Sequence, residues 1–273
     1  MTADFILTLI SRDPALIRAA DRAGVDRIGI DIERLGKRDR QGDIPNARIS
    51  DHDMDDLKAV AATAKHAMVF IRLNPLHTGT PAEVERALSL GARVLMLPYF
   101  TSAYEVACFV DAVAGRAMVT LLLETAAAAA RLHEIVAVPG VSEIIVGLND
   151  LHRTFGLASH FEMLASDMMV TIGCQVRDAG LRFGFGAVAR PGDTSLPIPA
   201  DLVLAQYPRL GATSAWIARS FLKPGNNVTG FESEIARLRG AIDYWFRQPP
   251  GVLAEKYAEL RRLAAALDKR IGP

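Results

Sequence analysis

Cysteine is scarce: only Cys108 and Cys174 occur in 273 residues, far apart and with no His or Cys at ligand spacing. That excludes a disulfide framework and a thiolate zinc site, and predicts two small core side chains in a reducing compartment. Net charge is missing too, since 31 Lys and Arg stand against 31 Asp and Glu. A nucleic-acid binder carries a basic excess or patch, so neither DNA nor RNA is an expected partner. No run of eighteen apolar residues exists, because Glu124 interrupts the longest candidate, and no membrane span is expected. The apolar run Phe5–Ile10 is too short for a signal core, with Asp4 where basic residues would stand. A soluble, cytoplasmic protein is the expectation.

What is present is ordinary globular material, 50% apolar and 23% charged, which excludes disorder, collagen and coiled-coil rods. A chain of this size buries about three quarters of its unfolded surface, so its core needs no metal or disulfide staple. Short, almost wholly apolar runs recur at Phe5–Ile10, Arg27–Asp31, Met68–Arg72, Arg93–Leu97, Met118–Leu123, Glu143–Gly147, Arg182–Gly186 and Thr213–Ile217. Runs of that kind are the mark of parallel strands buried on both faces. Helix signals lie between them: Pro14–Ala23 before Gly24, Asp51–Lys65 with Ser50 as N-cap, Pro81–Leu90, Ser102–Val113, Thr125–Val136 and Pro199–Leu210.

Several strand starts are spaced by about 25 residues, one strand–helix unit each. Eight such units predict an α/β fold, a (β/α)₈ TIM barrel over residues 1–222. Residues 223–273 differ. Phe231, Ile235, Leu238, Ile242 and Trp245 form one apolar stripe, and Leu253, Tyr257, Leu260, Leu263 and Leu267 another, split by Gln248-Pro249-Pro250-Gly251. This reads as an appended helical hairpin for oligomerisation, one stripe covering the barrel and the other meeting a second subunit.

Barrel active sites are built at the C-terminal ends of the strands. Those ends carry Asp31 and Glu33, Arg72 and Asn74, Glu124 and Thr125, and Asn149 and Asp150, each after a nearly apolar strand. Glu124 and Asp150 on neighbouring strands suit one hard cation such as Mg²⁺, with open positions for the oxygens of an oxo-acid. Arg72 offers a fixed fork of donors to a carboxylate or an enolate oxygen. The same charges also read as an ion-pair network closing the barrel top. His77, on a top-face loop, is a candidate substrate contact, as is His152. Gly184-Phe185-Gly186-Ala187-Val188-Ala189 satisfies a dinucleotide fingerprint only formally, since Pro191 and Gly192 interrupt the helix it must open. Arg190 beyond it is a candidate anion contact. Lys37-Arg38-Asp39-Arg40 reads as a solvated loop, or as a lid over an acidic substrate.

Ile71-Arg72-Leu73-Asn74-Pro75-Leu76, Leu123-Glu124-Thr125-Ala126 and Val146-Gly147-Leu148-Asn149-Asp150-Leu151, taken in order, resemble the HpcH/HpaI aldolase and citrate lyase β-subunit family. That family belongs to the phosphoenolpyruvate/pyruvate superfamily, and the match spans roughly Arg27 to Phe221. The resemblance implies a carbon–carbon lyase, or the reverse condensing enzyme, acting on a small oxo- or hydroxy-acid through a metal-stabilised enolate. It implies Mg²⁺ or Mn²⁺ on Glu124 and Asp150, and Arg72 on the oxo-acid. Asn149 and His77, from their positions, are further candidate substrate contacts. A coenzyme A thioester is a conceivable substrate form, and trimers or hexamers are the implied assembly. The aldolase branch carries a histidine base where Arg34 stands in Asp31-Ile32-Glu33-Arg34, and the citrate-lyase branch reads Asp-Leu-Glu-Asp there. Asp31 and Glu33 are candidates for proton transfer, or for orienting an arginine. The rivals are a phosphoenolpyruvate- or pyruvate-using enzyme without aldol cleavage and a catalytically silent metabolite-binding barrel.

Overall fold

Odd and even positions of each strand carry different side chains, and the computed structural model, which describes residues 4–37, 51–222 and 228–271, shows where each set goes. Strands β1 (Ile6–Ile10), β2 (Arg27–Asp31), β3 (Met68–Arg72), β4 (Val94–Pro98), β5 (Met118–Leu123), β6 (Val141–Val146), β7 (Arg182–Val188) and β8 (Ser214–Ile217) pair in parallel and in chain order. β8 returns to β1, so the sheet is a closed eight-stranded barrel. One set of alternates, including Leu7, Leu9, Ile28, Ile30, Ile71, Leu95, Leu97, Leu121, Leu123, Ile144 and Val146, belongs to the main core that the surrounding helices cover. The other set, Phe70, Val94, Met96, Leu122 and Ile145, forms a separate cluster, with Ile10, Met68, Met118 and Trp216 packed on it. This second cluster is the plug inside the barrel, whose interior is a filled core and not a pore.

Polar side chains on the inner face lie at the two ends of the plug. At the N-terminal end of the strands, Arg27 donates to Glu143 Oε2, and Thr120 Oγ1 donates to the same oxygen at 3.0 Å. Arg27 is 1% and Glu143 0% exposed. At the other end of the same strand β2 stands Asp31, four residues and two inward positions from Arg27. Period two thus carries a charge pair below and a charge cluster above from one apolar pattern.

The helices are shorter than the sequence suggests. They are α1 (Pro14–Arg22), α2 (Asp56–Thr63), α3 (Thr80–Ser89), α4 (Ala103–Val113), α5 (Ala126–Ala130), α6 (Leu132–Ile135), α7 (Leu148–Thr154), α8 (His160–Leu164), α9 (Asp167–Asp178), α10 (Ala200–Leu204) and α11 (Gln206–Leu210). The helix expected from Asp51 starts at Asp56, because Asp53 Oδ1 accepts from the N–H groups of Asp55 and Asp56 and turns the chain first. Its expected cap, Ser50, lies outside the described residues. The stretch expected as Pro199–Leu210 breaks into α10 and α11, where Pro208 lacks the N–H that would continue the ladder. Three helices, α7 to α9, fill the β6–β7 connection that the apolar pattern left unmarked.

Helices α12 (Phe231–Phe246) and α13 (Pro250–Ile271) form the hairpin. Its first stripe is covered by the chain's own barrel, and in the second Tyr257, Leu263 and Leu267 stay half-buried. Phe231, Ile235, Leu238, Ile242 and Trp245 are all buried within the chain. Leu253 and Leu260 are buried as well, with α13 lying against α8, α10 and α11, and Tyr257 Oη donates to the Ala165 carbonyl at 2.9 Å. Cys108 and Cys174 are half-buried free thiols and not core residues. Among the described residues no helix is long and apolar enough to cross a membrane.

A buried charge left without its partner costs about 3–5 kcal/mol, whereas an apolar replacement of both partners is often neutral. Glu143→Ala should therefore lose about that much stability in urea denaturation, and Arg27→Met/Glu143→Leu far less. Equal losses in the single and double variants would show that the pair is not coupled.

Candidate active site

The register of β2 and β3 sets Asp31 directly opposite Arg72. Both are the last inward-facing residues of their strands, so their side chains meet at the mouth of the barrel. Arg72 Nε donates to Asp31 Oδ1 at 2.8 Å and Nη2 to Oδ2 at 2.5 Å, a two-pronged pair. The third arm, Nη1, lies 3.2 Å from Glu33 Oε2. Beneath the guanidinium is Trp216, whose ring centre is 4.9 Å from Cζ and which meets Phe70 edge-on. The apolar plug is thus the floor of the site. Burial alone would raise the Asp31 carboxyl, but the charge and hydrogen bonds of Arg72, then Lys37, carry it well below the usual carboxylate range. Burial works against the Arg72 charge as well, yet Asp31 and Glu33 hold it more firmly protonated than an ordinary arginine.

Lys37 is the member that sequence reasoning missed. As the first residue of a mixed charge run it read as solvated, but its side chain is only 5% exposed. Its Nζ donates to Glu33 Oε2 at 2.9 Å and lies 3.5 Å from Asp31 Oδ2. The signal available was the spacing, since Glu33 and Lys37 stand four apart, as an acid and a base do when one helical turn joins them. Arg38, Asp39 and Arg40 lie outside the described residues.

The segment carrying Glu33 and Lys37 is clamped from β3. Asn74 Oδ1 accepts from the backbone N–H groups of Arg34 and Leu35 at 2.9 and 3.1 Å. Asn74 Nδ2 donates to Glu83 Oε1 at 2.7 Å, and His77 Nε2 lies 3.2 Å from that oxygen. His77, expected at the substrate, is thus tied into the support of the β2 loop, and its Nδ1 accepts from Gly79 N–H at 3.0 Å. Arg34, where a histidine base was sought, is exposed and donates to the His52 carbonyl at 2.6 Å.

Across the mouth Glu124 follows β5. Thr125 Oγ1 donates to the Phe100 carbonyl at 2.8 Å and accepts from Ala128 N–H at 3.1 Å, fixing the backbone just after it. Tyr99, at a left-handed φ of 51° that a non-glycine residue seldom adopts, aims its N–H at Glu124 Oε1, 3.1 Å away. On the other side a Cβ at Gly147 would stand 2.7 Å from Glu124 Oε2, so only glycine lets the carboxylate sit there. Burial, then the charges of Glu33 and Asp150, raise the Glu124 carboxyl well above its usual range, with Arg72 and Lys37 opposing. Asp150 is buried on the first turn of α7, with Arg153 Nη1 3.6 Å from its Oδ1.

The structure therefore gathers Asp31, Glu33, Arg72, Glu124 and Asp150, and adds Lys37. Asn149, beside Asp150, is exposed. Arg190 donates from Nε to the Phe221 carbonyl at 2.6 Å and stacks on that ring, bracing the end of β7. Gly184 is no dinucleotide turn: it lies within β7, where a Cβ would stand 2.6 Å from the Ser214 carbonyl oxygen. Among the described residues no set of three His, Cys, Asp or Glu forms a ready-made metal cage. Two buried carboxylates with raised negative charge density fit a hard cation that takes its remaining ligands from substrate and water.

His152 and His160 lie together on α7 and α8. His152 Nδ1 lies 2.9 Å from the Leu148 carbonyl, and its ring faces His160 at 6.3 Å. Burial, then the charges of His152 and Arg153, lower His160 from 6.5 to about 4. The unfolded chain therefore holds the extra proton between those values, and stability falls as pH drops from 6.5 toward 4. His160→Gln should flatten this part of the profile, measured by denaturation between pH 7 and 4. Parallel wild-type and variant profiles would contradict it.

A sequence model described as HpcH/HpaI aldolase/citrate lyase matches residues 5–190. Comparison with curated proteins finds no match. Among solved structures, the HpcH/HpaI aldolase from Desulfitobacterium hafniense DCB-2 superposes with a TM-score of 0.62 at 17% identity, over 91% of this chain and 95% of its own. A HpcH/HpaI aldolase/citrate lyase family protein from Burkholderia cenocepacia J2315 gives 0.59 at 20%, over 89% and 95%. The citrate lyase β subunit of M. tuberculosis, solved with oxaloacetate and magnesium, gives 0.60 at 17%, over 90% and 99%. At such identities the likeness is one of fold.

Proposed function

This chain belongs to the HpcH/HpaI aldolase/citrate lyase family, and from that premise we propose that it is a divalent-metal-dependent carbon–carbon lyase, or runs the reverse condensation, on a small oxo- or hydroxy-acid. The observation that carries this reading is Glu124, a carboxylate buried at the barrel mouth near Asp150 and Glu33, where burial and then their charges favour its protonated form and a cation would compete with that proton. Glu124 and Asp150 would hold Mg²⁺ or Mn²⁺, which would polarise the carbonyl of a bound oxo-acid. The magnesium and oxaloacetate bound by the M. tuberculosis relative support the same ligand classes here.

The chain's own residues supply the rest. Asp31 fixes the plane of Arg72, leaving the donors that Asp31 and Glu33 do not use to meet an anionic oxygen of the substrate. Cleavage of the carbon–carbon bond leaves its electron pair on the carbon next to the carbonyl, and the guanidinium neutralises the charge that develops on oxygen. Trp216 and Phe70 keep water from below. In this reading the hydroxyl proton would pass to Glu33 or Asp31. Assembly into trimers or hexamers belongs to this proposal on the strength of the family alone. The closed ion-pair network of Asp31, Arg72, Glu33 and Lys37 favours one second reading, a silent barrel with a self-neutralised mouth.

The two readings part on oxaloacetate. Wild-type protein should decarboxylate it with Mg²⁺ and not without. Glu124→Gln or Asp150→Asn should weaken Mg²⁺ binding by more than about hundredfold in calorimetry with the circular dichroism unchanged. Unaltered affinity in both variants would remove the site. Arg72→Lys keeps the charge and loses the fork, so turnover should drop at least about tenfold while Mg²⁺ still binds. Turnover near that of the wild type would make Arg72 peripheral.

A further inference from the structure

Lys37 needs an explanation that the proposed function does not give. A lysine with a side chain 5% exposed is rare, and such a charge is kept only where it is paired. Its two partners, Glu33 and Asp31, are also the two partners of Arg72, and the contacts converge on the same oxygens. Glu33 Oε2 lies 2.9 Å from Lys37 Nζ and 3.2 Å from Arg72 Nη1. Asp31 Oδ2 lies 3.5 Å from Lys37 Nζ and 2.5 Å from Arg72 Nη2. Four charges therefore form a closed ring of alternating sign beside Glu124 and Asp150.

Charge balance shows what the ring does. Lys37 and Arg72 share Glu33 Oε2 and Asp31 Oδ2, so without Lys37 those two oxygens would draw on Arg72 more strongly. With Lys37 the four charges of the ring sum to zero, and Glu124 and Asp150 stand beside it as further carboxylates, Asp150 with Arg153 Nη1 3.6 Å from its Oδ1.

We propose that Lys37 is a positioning residue of this site, neutralising the carboxylates at the end of β2 so that Arg72 stays available to the anionic oxo-acid. The proposal rests on the metal-dependent reading above. It has a signature that a packing role lacks, because a cation at this place repels a metal and attracts an anion. Lys37→Met should bind Mg²⁺ more tightly and, with Mg²⁺ saturating, bind oxalate (a planar dianion shaped like the enolate of pyruvate) more weakly. Each change should be about tenfold or more, the order expected for the loss of one nearby unit charge at an effective dielectric of about 20.

The experiment is calorimetric titration of the full chain at pH 8, first with Mg²⁺ and then with oxalate. Lys37→Arg should restore both affinities. Lys37→Met/Glu33→Gln, which leaves no lone buried charge and so guards against misfolding of the single variant, should also return both toward wild type. Opposite shifts in Lys37→Met, reversed in the other two variants, support the role. Oxalate affinity unchanged in Lys37→Met, both ligands weakened together, or a double variant no better than the single one would overturn it. A wild-type chain that takes up no Mg²⁺ would overturn the metal-dependent reading itself, and this inference with it. A chain that takes Mg²⁺ but shows no Lys37 effect would overturn only the inference.

Discussion

The Asp31–Arg72 pair is the constraint on which the mouth of this barrel depends. It exists because two neighbouring strands end in register with their last inward positions opposite each other. A slip of one residue between β2 and β3 would turn one partner outward into the apolar layer under the helices. The pair then sets the rest. Glu33 and Lys37 gather on the oxygens and nitrogens that Asp31 and Arg72 leave open, and Trp216 stacks beneath the guanidinium. Asn74, two residues past Arg72, holds the backbone from which Glu33 and Lys37 emerge.

That arrangement is useful only because the plug below it is dry. Phe70, Met96, Leu122 and Ile145 separate the upper charges from the Arg27–Glu143 pair at the opposite end. In such surroundings charges act on one another more strongly than in water, which is why Asp31 and Glu124, two carboxylates in one mouth, are driven in opposite directions. Asp31 sits in the fork of an arginine, which favours its charged form. Glu124 is buried near two other carboxylates, which favours its protonated form. One fold gives two carboxylates opposite proton affinities through burial and their neighbours.

Much of this was legible in the sequence. Eight apolar runs gave the barrel, and reading only the residues where those runs stop gave Asp31, Glu33, Arg72, Glu124 and Asp150. Strand ends are readable because burial forces the strand to be apolar and any charge at its end stands out. Lys37 was not readable in the same way, since a lysine in Lys37-Arg38-Asp39-Arg40 looks like any solvated loop and only its distance of four from Glu33 hinted otherwise. His77 shows a different limit. A loop histidine beyond Arg72 reads as a substrate contact, and its closeness to Glu83, out of view in the next helix, is not legible from the sequence. The hairpin stripes were legible as covered faces, but an apolar stripe does not say what covers it. Here the covering elements are α8, α10 and α11 of the same chain.

The electrostatics also imply an order of events under the proposed function. Burial and the charges of Glu33 and Asp150 favour the protonated form of Glu124. A divalent cation held by Glu124 and Asp150 would offset that crowding, and an oxo-acid carboxylate would then meet it together with the outer donors of Arg72. Cation binding would favour anion binding, and by reciprocity the anion would tighten the cation. A histidine where Arg34 stands would titrate near neutrality and make this coupling depend on its protonation. Arg34 is permanently charged and turned away to the His52 carbonyl, so the balance is left to groups whose charges are fixed by contact.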